Sequence, residues 1–406
     1  MKHTKIIASL LSIAILTNAL AQTQGRSIGR GYSKKLLDQE KHFDELKKSN
    51  GENYGNKELS VEIAVGKMVD INLENENRSI EIKTWDEPKV KITTVVYFDG
   101  AMSKLSSEAW FEKLNINTRL LGNTLRIKTN IYTNSYSGGS SSNNGSAKDV
   151  VEVYSVDGQY IKSEPAKRKI VTIYVPKENK LNIESKYADV AITDYIKKLN
   201  ADITNGSLDL SNVNTLTLRS KYSSVSINEV QSGEIDFING KLSIQTLGDV
   251  ELDTKYSTVE IASVKKLTFK STNDDYELED VVAIEGSKNY GSMRIAKLTE
   301  SIQIDGTNAD VKIKNISSEI KSIWFDDKYA DLRLPLRNVR NFSLNYDGTY
   351  STIYKNFASN NNDNTDADNS RITTGDTQNS RFKATVGNGS DTKINIKCQN
   401  CTVDFK

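Results

Sequence analysis

Between about Lys180 and Arg337 the chain repeats itself every 17 or 18 residues, and a period of that length leaves few ways to fold. The plainest copies are SKYADVAI at 185, SKYSSVSI at 220 and TKYSTVEI at 254, with TNGSLDL at 204 and INGKLSI at 238 between them. STNDDYEL at 271, KNYGSMRI at 288, GTNADVKI at 306 and DKYADLRL at 327 continue the series, the last after a longer step of 21 residues. Aligned, the copies put apolar residues in the same columns. One column pair holds Leu181/Ile183, Leu199/Ala201, Leu216/Leu218, Val250/Leu252, Leu267/Phe269, Ile302/Ile304 and Ile323/Phe325. The other runs from Val190/Ile192 and Leu208/Leu210 to Val311/Ile313 and Leu332/Leu334. The residues between the members of each pair are polar, and such period-2 alternation marks a strand with one buried face.

Two short strands and a turn cannot bury an apolar face alone, so copies must stack like on like. The expected fold is all-β: a single-chain parallel β-solenoid of about nine rungs, roughly 40 Å long at the usual strand spacing. A stack of repeated hairpins is the competing arrangement. A third apolar column, Tyr195, Val213, Val230, Leu247, Val264, Val281, Leu298 and Ile316, is expected to turn the corner between rungs. The turn column reads Tyr187, Asn205, Tyr222, Asn239, Tyr256, Asn273, Asn289, Asn308 and Tyr329. Asn tolerates positive φ, and Asn205-Gly206 and Asn239-Gly240 are tight-turn dipeptides.

The remaining chain divides by composition. A basic start, an apolar run from Ile6 to Leu16 and Ala19-Leu20-Ala21 predict a cleaved signal peptide over 1–21. Export follows, to the periplasm, the cell surface or the medium; no later segment is apolar enough for a transmembrane helix. Residues 22–55 read as a polar tail with a short helix. Residues 56–175 read as a β-rich cap region with a helix at Ser103–Leu114 and a low-complexity loop at 135–149. The repeats occupy 176–357, a disordered polar insertion 358–380, and closing strands 381–406. Within the insertion, Asn364-Thr365-Asp366-Ala367-Asp368 alternates oxygen ligands but lacks the Gly and distal Glu of a calcium loop.

Chemistry is sparse. The formal net charge is +1, and the leader's Lys2 and Lys5 leave −1 on the mature chain, which does not suit a nucleic-acid binder. After the leader only His42 remains, so Ser-His-Asp triads and His-based zinc sites are nearly excluded. No cofactor fingerprint appears. Two acidic pairs occupy one outward column on adjacent copies, Asp236 with Asp253 and Asp305 with Asp326. Such a pair would suit a retaining glycosidase, but outward charge is also what a solvated β-face needs. Lys186-Tyr187, Lys221-Tyr222, Lys255-Tyr256 and Lys328-Tyr329 form a candidate binding stripe, with corner packing as the plainer explanation. Alternation spaces the lysines two rungs apart, and Glu184, Asp253 and Asp326 can compensate them. Cys398 and Cys401 can form a disulfide if Gln399-Asn400 makes a turn.

The leader, the strands around IEIKTWDEPKVKI, the S-K-Y-x-x-V-x-I copies and NGSLDL together resemble the putative adhesin family of exported bacterial β-solenoids. That family is related to the head GIN family and is frequent in Bacteroidetes. The resemblance spans the chain from about Leu59 onward and rests on structural motifs. It implies a non-enzymatic solenoid that presents an extended surface for adhesion, or for binding an envelope, cell-surface or glycan partner. It carries no catalytic residues. A carbohydrate-active β-helix, polysaccharide lyase or hydrolase, is the alternative.

Overall fold

The computed structural model describes residues 54–100, 103–130, 150–165, 171–355, 357, 371–373 and 379–406. The expected leader, the polar tail up to residue 53, the 135–149 loop and most of the 358–380 insertion, including the oxygen-rich run at 364–368, lie outside them; Tyr54 and Gly55, assigned to the tail by sequence, open the strand Tyr54–Ala64. The described chain is all-β apart from the short helix Ser107–Lys113. Its strands join in one large, mostly parallel sheet that is not closed into a barrel.

The pairing follows the repeat. Leu181 lies opposite Leu199 and Leu199 opposite Leu216 in the first strand column. Leu208, Val225, Leu242, Val259 and Tyr276 lie successively opposite one another in the second. Pairing thus runs between copies and in parallel, which removes the stacked-hairpin arrangement. Asp70–Glu76 and Ile80–Trp85 join the same two ladders, pairing with Lys180–Lys186 and Asp189–Ile192. Parallel stacking therefore begins inside the segment that the sequence assigns to the cap.

A left-handed residue sits between the two strands at each level. Following the pairing order, these residues are Asn77, Tyr187, Asn205, Tyr222, Asn239, Tyr256, Asn273, Tyr290, Asn308, Tyr329, Asn400 and Tyr350, with φ between 50° and 64°. Their N–H groups donate to the neighbouring level: Tyr187 to the carbonyl of Thr204, Asn205 to Lys221, Tyr222 to Ile238 and Tyr329 to Gln399. Tyr290, not Asn289, holds the position in its copy; it restores a uniform three-residue interval to the first apolar residue, Met293. The corner column also shifts by one at its start. Tyr195 is exposed, and Ile196 is buried opposite Val213, because that copy is 18 residues long and the extra residue is taken up before the corner.

Both ends finish in antiparallel strands. At one end Ile116–Leu121 covers Thr124–Asn130, and Lys89–Asp99 covers Val171–Pro176. The helix is shorter than the expected Ser103–Leu114, because Ser106 caps it by accepting from the Ala109 N–H. Its buried Trp110 meets Tyr154 edge-on at 5.5 Å, while Arg78 donates to the Leu114 carbonyl at 2.6 Å. At the other end chain order and spatial order diverge. Thr392–Gln399 inserts between Ser322–Lys328 and Phe342–Thr349, and Asn379–Val386 closes the stack antiparallel. The last strand column is therefore interior, and an antiparallel strand takes the aggregation-prone edge.

The left-handed column makes a clear forecast. Asn239→Ala should lower unfolding free energy by about 1 kcal/mol, whereas Asn239→Gly should leave it nearly unchanged. Gly240→Ala should cost more than Asn239→Ala, since its Cβ would lie 2.0 Å from the Ser223 carbonyl oxygen. Urea melts of the three variants provide the comparison.

Candidate functional site

Six tyrosines, Tyr187, Tyr222, Tyr256, Tyr290, Tyr329 and Tyr350, line one edge of the stack at every second level. Each is half or more exposed, from 50% at Tyr187 and Tyr290 to 61% at Tyr222. Asn occupies the same backbone position at the intervening levels, so the fold itself does not require an aromatic there. A bulky residue at positive φ costs about 1 kcal/mol or more, and the chain accepts that cost repeatedly. Rings two levels apart lie about 10 Å from one another. Tyr290 was missed in the sequence by a misplaced turn, and Tyr350 because it lies beyond the last aligned copy; counting three residues back from the first apolar position finds both.

The lysines of the stripe alternate as expected, with Thr204 between Lys186 and Lys221, and Ile238 between Lys221 and Lys255. Lys186 pairs with Glu184 at 2.7 Å and Lys255 with Asp253 at 3.9 Å. Asp326 turns instead to Lys397 at 2.9 Å, away from Lys328. The acidic pairs do lie on adjacent levels, Asp236 opposite Asp253 and Asp305 opposite Asp326. Arg219 lies 3.8 Å from Asp236. Cations thus sit beside Asp236, Asp253 and Asp326, on an outward strand face. None of the four aspartates lines the groove that runs from Ser226 to Arg333, and among the described residues no cluster of three metal-ligating side chains exists.

Behind the tyrosine edge the residues two before and one after each left-handed position face one another inside the turn. Cys398 and Cys401 occupy these places at one level and form a disulfide, with Cα atoms 5.8 Å apart and Asn400 supplying the left-handed turn. Elsewhere the seam holds polar side chains at some levels and apolar ones, such as Ile203 and Phe237, at others. Asn75 donates to Ser185 at 3.0 Å and accepts from Thr129 at 2.6 Å. The Asp274 carboxylate accepts from Thr254, Ser271, and the N–H groups of Ser257 and Thr272, all within 2.9 Å. Because Thr254 gives its one proton to Asp274, the Tyr276 hydroxyl 2.6 Å away must donate to Thr254. Lys288, fully buried, donates to the carbonyls of Asp274 at 2.7 Å and Tyr290 at 3.2 Å, and to Ser271 at 3.3 Å. Burial lowers its pKa to about 8, against the pull of Asp274 and Asp275.

Among the described residues two seam side chains hold a buried polar atom without a partner, the Ser220 hydroxyl and one oxygen of Asp327. Asp327 is 1% exposed, one oxygen accepts from the Lys328 N–H at 2.8 Å, and the other has no partner. Its carboxyl fills the room left by Gly306, where a Cβ would lie 2.4 Å from it. Burial raises its pKa to about 7; the Lys328 N–H opposes this, and Asp310, Asp326 and Asp305 add to it.

The fold is similar to several solved structures, at low identity. A putative adhesin from Parabacteroides merdae is 10% identical, covering 67% of this chain and 96% of its own, with a TM-score of 0.31. A putative lipid binding protein from Parabacteroides distasonis is 13% identical, covering 68% and 95%, with a TM-score of 0.31. A putative adhesin from the same organism is 14% identical, covering 66% and 96%, also with a TM-score of 0.31. No family model matches the chain, and no curated protein does.

Two measurements probe the seam. An acid whose pKa is raised on folding binds more protons in the native state, so its contribution to stability falls as pH rises from about 4 to about 7, then levels off. The loss is up to about 4 kcal/mol. Asp327→Asn should flatten the dependence of the denaturation midpoint on pH across this window, where Lys288 stays charged. Lys288→Met should destabilise by about 3 kcal/mol, since the buried carbonyls of Asp274 and Tyr290 and the Ser271 hydroxyl lose their donor. Adding Asp274→Asn should then cost less than the two single changes summed, as a double-mutant cycle would read.

Proposed function

We propose that this chain is an exported β-solenoid of about nine rungs over 176–357, without enzymatic activity, that presents its tyrosine edge to an envelope, cell-surface or glycan partner. The leader over 1–21 delivers it, the 56–175 region adds further stacked strands at Asp70–Trp85 and caps the rod, and the strands of 381–406 complete its far end. The observation that carries the reading is the repeated choice of Tyr at a left-handed position that Asn fills equally well one level away. Backbone strain kept where packing does not demand it points to function. An aromatic ring with an exposed hydroxyl offers both a stacking face and a hydrogen bond, as suits sugars and protein loops. Neighbouring lysines at alternate levels add positive charge to the same edge.

The carbohydrate-active alternative needs two carboxylates facing a bound sugar inside a cleft. Asp236, Asp253, Asp305 and Asp326 lie outside the groove, three of them beside cations, which favours a solvated face over a catalytic pair.

Replacing Tyr222 and Tyr256 together by Asn separates recognition from packing. The variant should be as stable as the parent or slightly more so, while its binding to intact cells, envelope fractions or arrayed glycans should drop at least tenfold. Loss of stability with retained binding would assign the rings to packing instead. Release of reducing ends from any polysaccharide by the purified protein would restore the enzyme reading.

A further inference from the structure

The outward face of the second strand column is concave, forming a groove of about 940 Å³ that spans the levels from Ser226 to Arg333. Its floor is built by residues four and six places beyond each turn, so it is a different face from the tyrosine edge. Charge along it is segregated. Towards one end Glu260 is held by Lys241 at 2.7 Å, and Glu277 by Arg294 at 3.4 Å. Beyond Arg294 come Lys312, Lys314, Arg333 and Arg337, all lining the groove. Lys312 lies directly opposite Arg333 on the adjacent level, and like charges so placed destabilise a sheet. Among the described residues neither of these two forms a salt bridge. Arg337 reaches across to donate to the Lys314 carbonyl at 3.2 Å, which holds its guanidinium over the same floor. Asp404, opposite Arg333 on its other side, closes the cationic run.

We propose that this cationic half of the groove binds an acidic polysaccharide through the carboxylates of its sugars. A concave surface with low-dielectric walls concentrates the field of its unneutralised charges, and guanidinium groups recognise carboxylates in paired fashion. The cations stand in a row about 4.8 Å apart, sunk in a concavity, which suits a slender polyanion with carboxylates spread along its length, and a flat bilayer does not enter it. The inference does not depend on the tyrosine edge and stands if that edge binds nothing.

The test uses the full mature chain and polygalacturonate as the probe, with neutral dextran, phosphatidylglycerol vesicles and duplex DNA for comparison. Polygalacturonate should bind and weaken as salt is raised, and the other three should bind at least tenfold less tightly. Lys312→Gln with Arg333→Gln should lower polygalacturonate affinity at least tenfold while leaving the thermal midpoint unchanged or higher, since stacked like charges are removed. The Tyr222→Asn and Tyr256→Asn double variant should bind polygalacturonate as the parent does, which separates this site from the proposed edge. Absence of polygalacturonate binding, equal or tighter binding of vesicles or DNA, or undiminished binding by the Lys312/Arg333 variant would each overturn the proposal. A fall in the thermal midpoint of that variant would also overturn it, by giving the two cations a structural role.

Discussion

Everything in this protein depends on the hydrogen bond that each left-handed turn residue donates to the level beside it. That bond fixes where one strand ends and the next begins, and so holds every copy in the same register as its neighbours. A one-residue slip would turn the apolar columns outward. Extra residues are therefore admitted only where register is not at stake. The 18-residue copy ending at Asn205 takes up its extra residue before the corner, and the 21-residue step before Tyr329 takes up its own around Ser317 to Ile320, where Ile320 is buried. The longest detour, from Trp85 to Lys180, adds Thr124–Asn130 and Val171–Pro176 in parallel on one side of the Asp70–Trp85 level before the chain continues on its other side, with Lys186 accepting from the Asn77 N–H.

The same turn creates a buried place that cannot be left empty. Residues two before and one after the left-handed position face each other, and the chain fills that seam differently at nearly every level. Asn75 with Ser185, the Asp274 and Lys288 network, and the Cys398–Cys401 disulfide are alternative solutions to one geometric demand. A disulfide closing so short a loop restricts the unfolded chain by only about 2 kcal/mol, comparable with what the polar solutions contribute. At other levels the demand is met by volume: Ile203 and Phe237 fill it with apolar atoms, and the Asp327 carboxyl occupies the space that Gly306 vacates while one oxygen goes without a partner.

Much of this was legible in the sequence because period-2 alternation and a fixed repeat are local signals. The apolar columns, the turn column and the lysine alternation could be read from alignment of the copies. The alignment slips by one at Asn289 for Tyr290, where Asn and Tyr stand side by side, and at Tyr195 for Ile196, where the copy is 18 residues long; burial and φ settle both. The far end was illegible for a different reason. Thr392–Gln399 pairs with Ser322–Lys328 across a separation that no local pattern records, and only the stack shows Asn400 restoring the Asn and Tyr alternation between Tyr329 and Tyr350. The seam was hidden because its polar residues look like turn residues on a solvated edge. The groove was hidden because concavity belongs to the stack, while Lys312 and Arg333 look alone like any outward charge.

A repeat of this kind varies one column without disturbing the rest. The turn position sets the tyrosine edge, the position four residues later sets the groove, and the apolar pairs on either side of the turn carry the core. Substitution at an outward column changes neither register nor packing, so the two faces are free to acquire separate partners on a single scaffold. Constraint runs the other way only at the seam, where Lys288 and Asp274 are buried behind Tyr290. A change there would be felt at the edge, because the Lys288 ammonium is bonded to the Tyr290 carbonyl and holds that left-handed turn in place. The edge is thus tied to the interior at Tyr290 in a way the groove at Lys312 and Arg333 is not.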